Sequence, residues 1–309
     1  MSYAFIINPA AGRARAGRLV RDLEDWLTAH AVAHVLLLTR APGHAVQLAA
    51  EWGRRLPYVI AVGGDGTANE VLNGLLETPA ALGVLPMGSG NDFAKMTGLS
   101  TSWTQALKGL LRARPIPTDY GTVRWDGSGE RHFLNAVGVG FDAEAAYRAR
   151  WTKRFGGLLG YVVAVLWTLC RWRAPWMHLR WEAPSGAGSC RRRYFFLTIS
   201  NGACSGGGFY LAPHARIDDG LFDLCLVDAL PFWRALWLMP RVMRGTHLGA
   251  REIELLRASR IEVYADIPLP VHADGEVLTR GAHALSCTLR AGQLPVLRMP
   301  AYAGKTKGA

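Results

Sequence analysis

Apolar and polar positions along this chain follow two different rhythms, and the rhythm changes once. Residues 3–8 form an apolar run closed by Asn8-Pro9, which predicts a strand and then a turn. Leu19, Val20, Leu23, Trp26 and Leu27 recur at helical spacing and predict an amphipathic helix over about 15–30. Residues 35–38 read as a buried strand, and Ala45, Leu48, Ala49 and Trp52 mark a second helix. Residues 59–62 read as a third strand, followed by a glycine loop and a helix over 69–76. Residues 82–85 read as a strand that runs into Pro86-Met87-Gly88-Ser89-Gly90-Asn91 and a further helix. Strands alternating with helices predict an α/β domain, a mostly parallel sheet covered on both faces.

Pro115 and Pro117 punctuate the change. Beyond them short strand-like runs dominate, over 116–140 and again over 176–290, with examples at 195–200, 221–227, 260–264 and 284–289. Helical stretches are expected at about 156–170 and 231–244. The expected organisation is therefore an N-terminal parallel-sheet domain over 1–125 and a β-rich, antiparallel domain over 126–309, with a frayed tail at 305–309. The uncharged run 157–170 has 14 residues between Arg154 and Arg171. A bilayer span needs about 20 apolar residues, so a buried or interfacial helix is expected there.

Composition narrows the class. Half of the 309 residues are hydrophobic and 19% are charged, which excludes a disordered or collagen-like chain. The five cysteines are scattered with no CxxC pair, against a zinc ribbon or a disulfide scaffold and in favour of reduced thiols. No basic segment precedes the first apolar run, which is too short for a secretory signal. The net charge of +11 is uneven: 1–125 holds 12 basic and 9 acidic residues, and 126–309 holds 23 and 15. Within 148–193 ten basic residues face one acid, Glu182, and five of the 11 tryptophans lie in the same window. Interleaved Arg and Trp suit a membrane surface, and equally nucleic acid or, in part, a compositional preference for Arg. Trp233, Trp237, Leu238 and Met239 beside Arg234, Arg241 and Arg244 give 231–244 the same character, with core packing as the plainer reading.

Candidate chemistry sits in loops. Gly63-Gly64-Asp65-Gly66-Thr67-Ala68-Asn69-Glu70 follows a strand and opens a helix. Glycines there let backbone N–H groups approach a phosphate chain, and the helix N-terminus favours anions. Thr67 can cap that helix or bond a phosphate oxygen, and Asp65 implies a divalent cation beside the phosphates. Taken alone, Gly-Asp-Gly also fits a turn with no ligand. Residues 85–92 repeat the arrangement after the next strand, and loops at neighbouring carboxyl ends face one crevice. Asp274-Gly275-Glu276 offers two carboxylates, either a base for an acceptor hydroxyl or a solvated hairpin turn. Arg216-Ile217-Asp218-Asp219-Gly220-Leu221 offers a hard-cation site or a turn. Gly138-Val139-Gly140-Phe141-Asp142-Ala143 matches GxGxxA but lacks the later acid of a dinucleotide site. No Walker loop, HExxH motif or GxSxG elbow occurs.

Seven ordered motifs together resemble the diacylglycerol kinase catalytic family, the bacterial lipid kinases that are also similar to sphingosine kinases. They are Ile7-Asn8-Pro9-Ala10-Ala11-Gly12, the 63–70 loop, 85–94, 135–142, Ser200-Asn201-Gly202 with Gly206-Gly207-Gly208-Phe209, 218–223 and Asp274-Gly275-Glu276. The resemblance implies a phosphofructokinase- and NAD kinase-like α/β domain joined to a C-terminal β-sandwich, whose last strand region returns to the first domain, with ATP in the cleft. It implies nucleotide contacts from Thr39, Gly64, Asp65, Gly66, Thr67, Ala68, Asn69, Glu70 and Ser89. It implies a structural Mg²⁺ held by Asp219 with the carbonyls of Arg216 and Leu221. It implies a general base at Asp274 or Glu276, and the choice stays open. The expected activity is ATP- and Mg²⁺-dependent transfer of the γ-phosphoryl group to a lipid hydroxyl such as that of diacylglycerol. Phosphatidylglycerol, a sphingoid base or ceramide would offer similar hydroxyls. The competing readings are a kinase of a soluble substrate such as NAD and a noncatalytic lipid or nucleotide sensor. The expected location is cytoplasmic, peripheral at the inner face of the membrane through 148–193 and 231–244. No nucleic acid partner is expected, and homodimerisation stays open.

Overall fold

A computed structural model describes residues 1–100, 102–127, 129–152 and 157–299; the expected frayed tail, and Lys153 and Arg154 of the basic window, lie outside these. The chain divides into two compact units, Met1–Tyr120 joined by the stretch after Arg290, and Gly121–Arg290. The first division falls inside a continuous strand, Arg114–Trp125, so it lies five residues before the expected boundary.

In the first unit β1 (Ser2–Ile7), β2 (Ala33–Leu38), β3 (Tyr58–Gly63) and β4 (Ala81–Pro86) pair in parallel in the order β4-β3-β1-β2. Five helices connect or follow them: α1 (Ala11–Ala29), α2 (His44–Trp52), α3 (Asp65–Leu75), α4 (Asp92–Met96) and α5 (Trp103–Arg112). The near-continuous apolar run of β1 is explained by burial on both faces. Tyr3, Phe5 and Ile7 pack with Leu19, Leu23 and Leu27 of α1 and Ala106, Leu107 and Leu110 of α5, while Ala4 and Ile6 are fully buried on the other side. A strand segment from the end of the chain lies parallel beside β4, with Val296 opposite Leu82.

One expectation is corrected here. β2 is not a buried strand: it is the edge of the sheet, its residues half-buried and Leu38 exposed. Regular α1 begins after Ala14, in line with the helix expected over about 15–30, because Gly12, Arg13 and Ala14 all adopt left-handed backbone angles.

The second unit is a β-sandwich of mainly antiparallel strands. It contains the end of β5 (Arg114–Trp125), β6 (Gly129–Phe133), β7 (Ala136–Gly140), α6 (Phe141–Thr152), α7 (Gly157–Arg171), β8 (Trp176–Ala183), β9 (Gly186–Ser200), β10 (Phe222–Asp228), α8 (Phe232–Arg244), β11 (Ile253–Ala258), β12 (Arg260–Ala273) and the start of β13 (Glu276–Arg298). Two long strands serve both layers. The first half of β9 pairs with β8 and its second half with β7 and β10; β12 likewise pairs with β8 first and β7 last. Strands that change partners in this way turn the corners of a sandwich. Alternation along β10 separates two cores. Phe222, Leu224 and Leu226 point into the core between the layers, and Cys225 and Val227 point to an outer cluster covered by α6, α7 and α8. The helices expected at about 156–170 and 231–244 are α7 and α8.

Candidate active site

The order β4-β3-β1-β2 places β2 on one side of β1 and β3 on the other. The carboxyl ends of β1 and β3 are therefore the switch point of this sheet, where open α/β sheets bind ligands. Three loops meet there. Asn8, just past β1, donates from its backbone to the Val62 carbonyl at 3.1 Å and from Nδ2 to Thr67 Oγ1 at 3.2 Å. The loop after β3 receives from the loop after β4: Met87 N–H and Gly88 N–H reach the Gly63 carbonyl at 2.8 and 3.2 Å. Gly64 and Gly88 touch backbone to backbone, and a Cβ on Gly88 would stand 2.4 Å from the Gly64 Cα. A Cβ on Gly12 would stand 2.1 Å from the Met87 carbonyl oxygen. Absence of side chains is thus what lets the loops close on one another.

The predicted loop residues divide into two groups. Gly64 and Gly66 are accessible at the start of α3, and Ser89 is exposed on the loop after β4. Thr39 is half-buried just past β2, and its N–H donates to the Ile7 carbonyl at 2.9 Å. The others are tied into the protein. Asp65 Oδ1 accepts the Phe93 N–H at 3.0 Å, so this carboxylate caps the first turn of α4 and links the loops. Thr67 is buried and accepts from Asn8; it does not cap α3, whose first residues have no side-chain cap. Ala68 and Asn69 are buried on α3, and Glu70 Oε2 accepts the Ala45 N–H at 3.2 Å, capping α2. Asn91, in the left-handed region, closes a ring with Gly88 through bonds of 2.8 and 2.9 Å. Asp92 is buried and pairs with Lys95 at 2.8 Å. Asn8 is marked in the sequence by the Asn-Pro pair closing an apolar strand and by its place in the first of the seven motifs, and neither signal points to its bond with Thr67.

In the second unit the Asp274/Glu276 pair separates cleanly. Asp274 adopts φ 48°, and its carboxylate accepts three backbone N–H groups, those of Leu134 (2.8 Å), Asn135 (2.8 Å) and Ala136 (3.1 Å). It is a clamp between the β12–β13 turn and the residues leading into β7. Glu276 opens β13 with its side chain 59% exposed and receives Arg131 Nη2 at 3.2 Å. Two residues upstream of the turn, His272 lies against Asp142 Oδ2 at 3.2 Å, across Gly138 of β7. The glycine pattern at 138–143 is therefore a strand and helix start within the sandwich.

The expected structural Mg²⁺ site does not fit. Asp219 Oδ1 accepts the Leu221 N–H at 3.2 Å, and Oδ2 is taken by the Arg257 guanidinium. Arg257 also approaches Asp223 at 3.8 Å, while Arg216 turns to Asp218 at 3.3 Å. A guanidinium in contact repels a divalent cation at the same carboxylate. Burial pushes the Asp223 carboxyl up to about 6, against the opposing pull of Arg257. Among the described residues no three His, Cys, Asp or Glu side chains cluster as a metal site. Arg257 lies far along the chain from Asp219, and nothing in the local motif points to it.

Comparison with known proteins accounts for both units. The diacylglycerol kinase catalytic domain matches residues 2–123, and the YegS C-terminal NAD kinase beta sandwich-like domain matches residues 135–298. The chain is 34% identical over 240 residues to a protein of Chromohalobacter salexigens named "Probable lipid kinase YegS-like", covering 76% of this chain and 74% of that one. It is 30% identical over 244 residues to a diacylglycerol kinase of Bacillus subtilis, covering 77% of each. In fold it is similar to a diacylglycerol kinase crystal structure from Bacillus anthracis, with a TM-score of 0.69 at 21% identity over 97% of each chain. With its seven ordered motifs, its parallel-sheet unit and its β-sandwich, the chain belongs to the diacylglycerol kinase catalytic family of lipid kinases, which are phosphotransferases.

Proposed function

We propose that this protein transfers the γ-phosphoryl group of ATP to a primary hydroxyl of a membrane lipid, with diacylglycerol as the first candidate acceptor. The observation that carries the reading is the backbone contact of Gly64 with Gly88 at the carboxyl ends of β3 and β4. It brings two glycine loops and the N-terminus of α3 together beside a sheet switch point, an arrangement suited to a phosphate chain. In this reading the backbone around Gly64 and Gly66 and the exposed Ser89 hold phosphate oxygens, and Thr39 lies at the neighbouring strand end. Asp65 keeps the loops in register by capping α4. Mg²⁺ arriving with the nucleotide neutralises charge on the phosphates when bound.

Glu276 is assigned as the base that takes the proton from the lipid hydroxyl. Asp274 is assigned as its positioning residue, because three N–H groups already occupy the Asp274 carboxylate. Arg131 fixes the position of the Glu276 carboxylate through a bond of 3.2 Å. The hydroxyl oxygen then attacks the γ-phosphorus, the bond to the β-phosphate oxygen breaks, and ADP leaves. Positioning and charge neutralisation supply most of the rate.

The test is incubation of the protein with γ-labelled ATP, Mg²⁺ and dispersed lipid, followed by phase extraction and thin-layer separation. Label in the organic phase that falls sharply in Glu276→Gln is expected. Label confined to an aqueous product would overturn the lipid reading in favour of a soluble acceptor, and absence of turnover with retained nucleotide binding would make the protein a sensor.

A further inference from the structure

The outer cluster of the second unit is covered by α7 and α8, and both helices are finished unusually on their outer sides. α8 packs Ala235, Leu236 and Met239 onto Phe195, Cys225 and Val227, and Leu238 is buried. Its opposite face carries Trp233 (67% exposed), Trp237 (47%), Arg241 and Arg244, with Phe232 exposed at its start. α7 packs Val165 and Leu169 onto the same cluster and exposes Val163, Leu166 and Trp167. Two of these exposed tryptophans bear cations. Arg241 lies 3.8 Å and Arg234 4.4 Å from the Trp237 ring, and Arg148 and Arg171 lie 4.9 and 5.6 Å from the Trp167 ring. No Asp or Glu occurs from residue 145 to 181 or from 229 to 251.

We infer that the outer faces of α7 and α8 form a docking surface for an anionic lipid bilayer, on which the helices lie in the interface. The chemistry of the surface selects this occupant. Tryptophan rings and arginine stems are amphipathic groups that settle at headgroup depth, and the guanidinium heads pair with lipid phosphates. Glu252 answers Arg234 and Glu144 answers Arg148, so a second copy of the chain meeting this face symmetrically would set Arg171, Arg241 and Arg244 against their own counterparts. Among the described residues no helix is long and apolar enough to cross a membrane, so the helices rest on the bilayer. The inference rests on the reading of a bilayer lipid as acceptor and adds where the protein meets it.

The experiment compares the full-length protein with Trp233→Ser/Trp237→Ser and with Arg241→Glu/Arg244→Glu. Sedimentation is measured with vesicles of phosphatidylcholine alone and of phosphatidylcholine with phosphatidylglycerol, at low and high salt. Phosphorylation is measured on long-chain diacylglycerol in those vesicles and on a short-chain, water-dispersed diacylglycerol. The unaltered protein is expected to sediment with the anionic vesicles and to release at high salt. The arginine variant is expected to lose about tenfold or more in partitioning. Both variants should keep short-chain activity within about twofold, because neither touches the proposed site, while vesicle activity falls with binding. Variants that sediment like the unaltered protein, binding indifferent to lipid charge and salt, or a fall in oligomeric mass in the tryptophan variant would each overturn the inference. Failure of the unaltered protein on both acceptors would overturn the lipid kinase reading, while the sedimentation series would still decide the docking surface.

Discussion

Single atoms decide what the loops of the first unit can do. Gly88→Ala puts a methyl group 2.4 Å from the Gly64 Cα, so the two loops must part. A loss of about 1–3 kcal/mol in stability is expected, seen as a lower denaturant midpoint, together with loss of nucleotide binding. Gly66→Ala meets nothing within 4 Å. It should leave stability unchanged or slightly raised, by up to about 1 kcal/mol, so weakened nucleotide binding in that variant reports close approach of phosphate to its backbone. The acid pair gives a second contrast. Asp274→Asn keeps the shape but turns an amide donor toward a backbone N–H, and about 1–3 kcal/mol should be lost in denaturant unfolding. Glu276→Gln removes only an exposed ion pair and should change stability by less than about 1 kcal/mol. Its kcat should fall by about 10²-fold or more, with KM for ATP little altered. Asp223 supplies a pH signature. Burial raises its carboxyl from 3.8 to about 6, so the folded protein holds this proton more tightly than the unfolded chain. The stabilisation is complete below about pH 4 and is lost as pH rises to about 6, an effect of about 1–3 kcal/mol. Thermal melts of Asp223→Asn between pH 4 and 7 should lack that decline; curves parallel to those of the unaltered protein would refute it.

At the scale of elements, legibility in the sequence followed how completely an element's faces are committed. β1, β3 and β4 are buried on both faces, and their uninterrupted apolar runs announce them. β2 is similarly apolar in sequence but stands at the sheet edge, because composition does not record how many neighbours a strand has. α6 was missed because its buried face is made of Ala143, Ala145 and an internal Glu144, which binds Arg148 and Arg280 at 2.8 and 3.1 Å. A hydrophobic period cannot register a buried carboxylate paired across the fold. α5 was hidden behind the second glycine loop although its apolar side is sharply defined. Leu107→Ala should cost about 2–5 kcal/mol in denaturant unfolding, since Leu107 is fully buried against α1 and the sheet. The motif loops were legible as glycine loops at strand ends, but not which of their polar residues face outward. Asp65, Thr67 and Glu70 spend their oxygens on α4, Asn8 and α2, which depends on contacts remote in sequence. The same limit hid Arg257 behind the Asp219 motif.

At the scale of the whole molecule, the first unit is not built from one stretch of chain. Leu294, Val296 and Leu297 are buried in it, and Val296 stands opposite Leu82 of β4. A chain ending at Arg290 should leave the edge of β4 unpaired, and amide hydrogens of Leu82 and Val84, which face away from β3, should exchange markedly faster than in the full protein. That arrangement has a consequence for how the protein is made. Everything from Gly121 to Arg290 must be translated between the two parts of the first unit. At ribosomal speed this is a wait of about ten to thirty seconds, during which the nascent unit carries an open sheet edge and an unfilled core. The protein is thus exposed to its own misassembly until the segment that pairs with β4 has emerged from the ribosome, and a chaperone that holds nascent chains would act in that interval.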